Sequence, residues 1–230
     1  MDLRLANEYP RLPFYAMTDA LSQATADAET GVAAAARSAG LARHVVLVGF
    51  MATGKTTVGR ACARVGRIRF VDTDAEVERT AGKRIPAIFE SEGEAAFRKK
   101  ETAVLRGLLE ARNPRVIATG GGIVTIEENL PLLKRLGFVV WLDADQDDIV
   151  RRASRKRNRP LLLTKNPAAT VAELLEERRP LYERAADLKI TTTGLTLDEV
   201  VTGVLESARY HFSCTSRPGV GGGGSEGEVG

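Results

Sequence analysis

The sequence is poor in cysteine, histidine and aromatic residues, and it has no long apolar run. Its 230 residues include two cysteines, two histidines and one tryptophan, and only 5% are aromatic. Cys62 and Cys214 are too few for a disulfide framework. No apolar run approaches the ~20 residues that a membrane-spanning helix needs, so we expect no membrane partner.

The N-terminal region lacks the features of a targeting segment. It carries acidic residues at Asp2, Glu8, Asp19, Asp27 and Glu29 and has no basic-then-apolar order. These features argue against a secretory signal and a transit peptide, so we expect a cytoplasmic protein. The formal net charge of +3 is too small by itself to indicate a nucleic-acid partner.

The composition that is present suits one α/β domain between two extensions. Hydrophobic residues make up 43% of the chain, which is enough for a substantial core. We place the domain at residues 44–210, after an N-terminal extension, 1–43, to which we assign no role. Residues 211–230 end in a Gly-rich run, which predicts a flexible tail.

Within the domain, predicted strands alternate with predicted helices. The strands are 44–48, 68–71, 115–118, 138–142 and 188–192, and the helices are 56–65, 75–80, 85–90, 94–112, 127–136, 146–156, 168–186 and 197–208. This alternation predicts a parallel sheet with helices on both faces. Ligands then bind at the carboxyl ends of the strands.

The first strand leads into the segment GFMATGKT, residues 49–56, which fits the pattern G-x-x-x-x-G-K-[ST]. Backbone N–H groups of such a phosphate-binding loop (P-loop) point at phosphate oxygens of a nucleoside triphosphate. Lys55 would reach the β and γ phosphates, and Thr56 would hold Mg²⁺. A dinucleotide loop with Asp72 or Asp74 as its acid is a weaker alternative, because the glycine spacing is wrong.

The second strand runs into two carboxylates, Asp72 and Asp74. At the end of a strand both can point into the ligand crevice. One can hold the water shell of the metal, while the other contacts an acceptor hydroxyl. A helix N-cap at Asp74 is an alternative use of that residue, and the two roles can coexist.

Three downstream segments are candidates for recognising a charged acceptor. They are Phe97–Glu101, the triple glycine 120–122 after the third strand, and Arg178–Tyr182. A triple glycine lets a ligand approach the backbone closely. Arginine side chains can form two parallel hydrogen bonds with a carboxylate.

Together these pieces resemble the shikimate kinase family. The matching motifs follow the order of the family over residues 44–208 and are GFMATGKTT, Asp72-Thr73-Asp74, Ile88-Phe89-Glu90, Gly93-Glu94 with Phe97-Arg98 and Glu101, the triple glycine, Arg159-Pro160-Leu161-Leu162, and Arg178-Arg179-Pro180-Leu181-Tyr182. One P-loop is common to many proteins, but this series in this order is specific.

The resemblance implies a role for each matching residue. ATP would be held by Ala52, Thr53, Gly54, Lys55, Thr56, Thr57, Arg152 and Arg159, and Mg²⁺ by Thr56 and Asp72. Shikimate would be bound by Asp74, Arg98, Gly121 and Arg178, and catalysis would rest on Lys55, Asp74 and Arg159. Phe89 and Phe97 would line the acceptor pocket, although either could be plain core.

The resemblance also implies a fold and a reaction. The fold is a three-layer α/β P-loop kinase with a five-stranded parallel sheet in the order 2-3-1-4-5. Independently of the resemblance, Pro160, Pro167 and the apolar run 161–163 predict a mobile lid at about 158–168, with a static surface loop as the alternative. The reaction is ATP-dependent phosphorylation of the 3-hydroxyl of shikimate. Separately, we expect the protein to be a monomer. Ala52 departs from the glycine common in the family, and if it needs a positive φ it costs about 1 kcal/mol. Leu195 replaces a basic residue of some members near the nucleotide.

Two alternative functions stay open at this point, and a third is disfavoured. One is another small-molecule P-loop kinase, such as a gluconate kinase, and the second is a shikimate kinase-like module that binds without catalysing. A nucleic-acid-binding function would rest on the basic residues Arg151, Arg152, Arg155, Lys156, Arg157 and Arg159. That segment has no interleaved aromatic residues for base stacking, so we expect no nucleic-acid partner.

Overall fold

The computed structural model describes residues 41, 43–111, 113–154 and 166–215. All of them belong to one compact unit, Ala39–Gly230. Most of the predicted lid, with Arg159, and nearly all of the N-terminal extension lie outside the described residues. Within the described residues, no helix is both long and apolar enough to cross a membrane.

Five parallel strands form one sheet in the order β2-β3-β1-β4-β5. The strands are β1 His44–Val48, β2 Arg69–Asp72, β3 Arg115–Ala118, β4 Gly137–Asp143 and β5 Leu188–Thr191. The central strand β1 pairs with β3 through Val45 and Val116, and with β4 through Val46 and Val139. The predicted parallel sheet and its strand order are confirmed.

Seven α-helices connect and cover these strands in the described residues. They are α1 Lys55–Gly66, α2 Thr73–Ala81, α3 Ile85–Leu109, α4 Asn129–Leu136, α5 Gln146–Ser154, α6 Pro167–Ala185 and α7 Leu197–Thr215, with a short 3-10 helix at Ile123–Thr125. Every residue of β1 and β4 is buried. Such two-sided burial explains why these strands read as continuous apolar runs.

Alternate residues of β1 enter different layers of the core. Val45 and Leu47 pack with Val58 and Val204 of α1 and α7. Val46 and Val48 pack in the other layer, which includes Leu105 of α3, Leu133 of α4 and Tyr182 of α6. This is the three-layer arrangement expected when side chains alternate across a sheet that is covered on both faces.

Two helices differ from their predicted bounds in an informative way. The predicted helices 85–90 and 94–112 correspond to α3, which ends at Leu109, and the non-helical backbone of Gly93 (φ 80°, ψ 172°) divides α3 between them as predicted. Helix α7 continues to Thr215, past the predicted end at 208. Residues 211–215, which we predicted in the flexible tail, are therefore helical, and Phe212 is 5% exposed.

The segments that follow the strands meet at the carboxyl edge of the sheet. The P-loop follows β1, Asp72 ends β2, and Thr119 and the triple glycine follow β3. On the other side of β1, Thr192 follows β5. The parallel topology thus brings these segments to one edge, where α/β proteins bind ligands.

Candidate phosphoryl-transfer site

The P-loop turns sharply between β1 and α1, and its glycines permit the turn. Gly49 has a φ of 142°, and a Cβ on it would collide with the Leu142 carbonyl oxygen of β4. Gly54 begins α1 with a φ of 97° and no side-chain cap. Ala52 has a φ of 63°, so this residue does adopt the left-handed conformation that glycine favours.

Lys55 folds back across the P-loop. Its Nζ donates to the carbonyl oxygens of Gly49 and Phe50, at 2.8 Å each, and the residue is 9% exposed. Thr53 is also buried, and its hydroxyl donates to the Phe50 carbonyl oxygen at 2.9 Å. Both side chains therefore hold the shape of the loop, and the ammonium of Lys55 lies inside its curve.

Thr56 and Asp72 lie together at the mouth of the loop. The Thr56 hydroxyl donates to Asp72 Oδ2 at 3.0 Å. Asp72 Oδ1 accepts from the backbone N–H groups of Asp74 and Ala75, so Asp72 is the N-cap of α2. The predicted alternative of a cap at Asp74 is wrong, because α2 begins two residues earlier than we predicted.

Asp74 is partly buried and lines the same cleft as Asp72. Its Oδ1 is enclosed and has no hydrogen-bond partner among the described residues. Burial raises the pKa of Asp74, and the negative charge of Asp72 adds to the shift. The positive charges of Lys55 and Arg98 oppose it. The carboxylate is therefore more basic than an exposed aspartate, and one of its oxygens is open to a new hydrogen bond.

Arg98 lies beside the triple glycine and is paired with two carboxylates. Its guanidinium bonds Glu101 at 2.6 Å and Glu94 at 2.9 Å. Glu101 is 0% exposed, and burial raises its pKa to about 7 although Arg98 acts to lower it. A Cβ on Gly122 would fall within 2.6 Å of the Arg98 Cζ, so only glycine admits the guanidinium here.

Gly120 lies next to two carboxylate oxygens, Glu101 Oε1 and Asp74 Oδ1. Neither oxygen has a hydrogen-bond partner among the described residues. A Cβ on Gly120 would lie 2.5 Å from Glu101 Oε1 and 2.7 Å from Asp74 Oδ1. The Gly120 N–H donates to the buried Thr73 hydroxyl at 3.1 Å. The glycine turn thus packs directly against the carboxylates of Asp74, which follows β2, and Glu101, which lies on α3.

Arg178 projects from α6 toward the P-loop. Its guanidinium lies over the Phe50 ring, 5.8 Å from the centroid. Its Nε is buried and has no hydrogen-bond partner among the described residues. Four residues later on the same helix, the Tyr182 hydroxyl donates to the Gly121 carbonyl oxygen.

Arg152 forms the wall of the site on the side of β5. It bonds Asp148 at 3.0 Å and the Thr192 hydroxyl at 3.3 Å, so its guanidinium is held from two sides. Leu195 and Leu197 line the same cleft, and they are 37% and 40% exposed. A planar cation and exposed apolar side chains in one cleft can together hold the flat face of a nucleobase.

A cleft of about 630 Å³ collects most of the predicted site residues. Its lining includes Ala52, Thr53, Gly54, Lys55, Thr56, Thr57, Asp72, Asp74, Gly121 and Arg152. Arg98 and Arg178 do not line this cleft. Arg98 lies against Gly122, and Arg178 lies over the Phe50 ring.

The two phenylalanines predicted for the acceptor pocket differ in exposure. Phe97 is 5% exposed and packs in a small cluster with Val77 and Ile88. Phe89 contacts it at 4.8 Å between ring centroids and is 39% exposed.

Sequence reasoning placed three residues of the site in candidate acceptor segments without giving them an individual role: Glu101, Gly122 and Tyr182. Glu101 lies three positions after Arg98, and Tyr182 lies four after Arg178, which are the spacings of neighbours on one helix face. This spacing was the available signal for both. The signal for Gly122 was its place in the triple glycine, but its contact with Arg98 depends on how α3 packs.

The strand order, the P-loop after β1 and the carboxylates after β2 define an α/β P-loop kinase. A family model described as shikimate kinase matches residues 51–209 of the chain. The chain belongs to the shikimate kinase family.

Curated relatives and solved structures agree with this family. The shikimate kinase of Bordetella avium is 45% identical over 161 residues, 70% of this chain and 77% of that protein. That of Bradyrhizobium diazoefficiens is 44% identical over 171 residues, 74% of this chain and 82% of that protein. The structure of the shikimate kinase from Acinetobacter baumannii in complex with shikimate is 39% identical, with a TM-score of 0.69, and the match covers 76% of this chain and 96% of that one. The Aquifex aeolicus enzyme is 40% identical, with a TM-score of 0.64 and coverage of 74% and 98%.

Proposed function

We propose that the protein transfers the γ-phosphoryl group of ATP to the 3-hydroxyl of shikimate, giving shikimate 3-phosphate and ADP in aromatic amino-acid biosynthesis. The observation that carries this proposal is the position of Asp74, a carboxylate of raised pKa on the wall of the cleft that contains the P-loop. Family membership and the shikimate complex of the Acinetobacter relative support the same acceptor. They favour it over a gluconate kinase or a non-catalytic module.

The phosphates of ATP would lie in the P-loop. The N-terminus of α1 has no side-chain cap, so its N–H groups and the helix dipole can meet a phosphate oxygen. Backbone and side chains of Ala52–Thr57 would surround the phosphates. Lys55 would exchange a carbonyl contact for a charged phosphate oxygen. Arg152 would hold the adenine.

Mg²⁺ fits the oxygen pair Thr56 and Asp72. Mg²⁺ prefers oxygen ligands, keeps several waters and needs only one or two protein groups besides substrate phosphates. When bound, the ion would neutralise charge on the β and γ phosphates. Asp72 is already oriented by the cap that it forms on α2.

Shikimate would bind at the end of the cleft nearest the triple glycine. Asp74 would bind ring hydroxyls and accept the proton of the attacking 3-hydroxyl as the oxygen bonds phosphorus and the bond from phosphorus to ADP breaks. A raised pKa suits that role, because a base works best when its pKa approaches the operating pH. Arg98 and Arg178 would hold the substrate carboxylate, and the Gly121 backbone would contact the ring.

Three further features of this proposal rest on the sequence alone. Arg159 would place its charge on the transferring phosphoryl group, but this residue lies outside the described part of the chain. Arg159→Ala would then lower kcat strongly and change shikimate affinity much less. Action as a monomer and in the cytoplasm likewise stay predictions.

The acceptor is tested by ADP release from Mg-ATP, measured separately with shikimate, gluconate and a nucleoside monophosphate. We expect release with shikimate that greatly exceeds release with the other two. Equal rates with all three, or a preference for gluconate, would reject the proposal. Omitting Mg²⁺ should abolish the shikimate-dependent rate.

Lys55→Ala tests the nucleotide side of the site. Loss of the ammonium should lower kcat by about 10²-fold or more, the scale typical for one charged group at a transition state. Lys134→Ala is the control, because Lys134 forms a surface ion pair with Asp187 far from the loop. Shikimate-dependent turnover near the wild-type value in Lys55→Ala would contradict the assignment.

A further inference from the structure

Tyr182 occupies a position between the acceptor side of the site and the core. It is 0% exposed, and its ring stacks on Trp141 of β4 at 5.8 Å between centroids and 25° between planes. Its hydroxyl donates to the Gly121 carbonyl oxygen, 61 residues away in sequence. The ring is thus held by packing, and the hydroxyl reaches the glycine turn.

Arg178 lies one helical turn before Tyr182 on α6. Burial raises the pKa of Tyr182, while the positive charge of Arg178 acts in the opposite direction. A tyrosine of raised pKa keeps its proton at neutral pH, so it stays a donor to Gly121. The Tyr182 hydroxyl therefore lies within the influence of the Arg178 charge while it donates to the Gly121 backbone.

Gly121 in turn packs against the P-loop. A Cβ on Gly121 would lie 3.3 Å from the Met51 backbone nitrogen and 3.6 Å from the Gly49 carbonyl oxygen. The neighbouring Gly120 N–H is anchored on Thr73. A shift of Gly121 would therefore disturb its distance from the loop that we propose for ATP.

We propose that Tyr182 is a positioning residue for the acceptor: its hydroxyl holds Arg178 and Gly121 in one fixed relation to the P-loop. This inference rests on the proposed function, in which both residues contact shikimate. Tyr182 itself touches neither substrate. Its effect is to keep two acceptor contacts, from α6 and from the turn after β3, at the correct separation.

Tyr182→Phe tests the inference, because it keeps the ring and removes only the hydroxyl. A buried acceptor left without its donor is costly, so we expect the shikimate KM to rise about fivefold or more. The dissociation constant for ADP, measured without shikimate, should stay within about twofold, because the P-loop keeps its own hydrogen bonds.

Two controls separate positioning from stability. Trp141→Phe keeps the Tyr182 hydroxyl but reduces the stacking area, so it should lower the Tm and leave the shikimate KM unchanged. Tyr210→Phe removes a hydroxyl from a residue that is 60% exposed, and it should change neither quantity. If Tyr182→Phe is partly unfolded at the assay temperature, all proteins are compared in sucrose, which favours the folded state.

The outcomes are distinct. A lowered Tm with a shikimate KM within twofold of the wild type would show that Tyr182 only packs, and would overturn the inference.

A double variant, Tyr182→Phe with Arg178→Lys, tests the proposed connection between these two residues. It should raise the shikimate KM by less than the product of the two single effects, because in the proposal one hydroxyl positions both acceptor contacts. If the single effects multiply fully, the connection to Arg178 is refuted. Failure of the wild type to use shikimate would reject the proposed function itself.

Discussion

Ala52 lies in the left-handed region of backbone space with a φ of 63°. A side chain there costs about 1 kcal/mol relative to glycine. The sequence prediction made this cost conditional on a positive φ, and the structure meets that condition. The family loop is thus retained here with a small local strain beside the proposed phosphate site.

Ala52→Gly should therefore raise the free energy of unfolding by up to about 1 kcal/mol. Gly82→Ala is the matched reverse control, because Gly82 also has a φ of 63° and a Cβ on it would have no neighbour within 4 Å. That control should lower the unfolding free energy by a similar amount in urea titrations. No change in Ala52→Gly, with the expected loss in Gly82→Ala, would show that the loop relaxes around Ala52.

Arg98→Lys and Arg178→Lys should each raise the shikimate KM more than the ATP KM, because lysine lacks the planar fork that binds a carboxylate. For Arg98 the change also weakens the pair with the buried Glu101. Arg106→Lys is the control, because Arg106 pairs with Glu128 on the surface. A shikimate KM within about twofold of the wild type, ~0.4 kcal/mol, would mean that the carboxylate binds elsewhere.

At the scale of elements, His44 connects the start of β1 to two other elements. Its Nε2 lies 3.3 Å from the Leu108 carbonyl oxygen near the end of α3, and its Nδ1 accepts from the Arg115 N–H at the start of β3. These contacts need the neutral ring with its proton on Nε2. Burial lowers the pKa of His44, and the positive charges of Arg115 and Arg43 add to the shift.

The wild type should therefore lose stability relative to His44→Gln as the pH falls. Because the folded pKa lies below the ordinary 6.5, the contribution of neutral His44 is complete above about pH 6.5 and is lost as the pH falls through the folded value. The measurement is the difference in unfolding free energy between the two proteins at pH 7.5 and pH 5. This difference isolates His44, since Glu101, with a pKa of about 7, titrates in both.

His211→Gln is the control for that experiment. His211 lies on α7 and contacts the Phe138 ring at 4.7 Å, and neither backbone contact of His44 depends on it. Its stability difference from the wild type should not follow the His44→Gln curve. If the difference in unfolding free energy between the wild type and His44→Gln is instead the same at pH 7.5 and pH 5, the folded protein accepts a proton on His44 without losing stability.

At the scale of the whole molecule, α7 is the last helix that the structure describes, and its final turn packs into the core. Phe212 is 5% exposed and packs in the core layer beside the Phe138 ring, 6.3 Å away. Removing residues 216–230 should leave the Tm and activity unchanged, because a Gly-rich composition contributes little packing. Removing residues 211–230 should also remove the Phe212 contact and cost about 2 kcal/mol.

Thermal unfolding of the two truncated chains checks this pair of expectations. Equal Tm values would show that the last turn of α7 contributes nothing to stability. If the chain that lacks only residues 216–230 has a lower Tm than the full chain, those residues contribute to stability despite their composition.

Several parts of the site follow from the sequence because each lies within one short strand–loop–helix unit. The glycines, Lys55 and Thr56 of the P-loop are neighbours in sequence, and their spacing is sufficient to place phosphate contacts. Asp72 and Asp74 end the next strand, and parallel strands bring their carboxyl ends to one edge. The family resemblance supplied the strand order and the acceptor residues, and the strand order is confirmed.

Other features depended on contacts between distant segments. The extension of α7 to Thr215 goes with the packing of Phe212 in the core. The cap at Asp72 depends on where β2 stops pairing with β3.

By itself, the sequence determined that this protein has a phosphate-binding loop, a carboxylate pair and alternating strands and helices, because these features depend on neighbouring residues. Only the tertiary structure decided that Arg98 approaches Gly122 and that Tyr182 bonds Gly121. Those contacts join residues 24 and 61 positions apart. Their distances are set by how helices pack on the sheet, which local residue types do not specify.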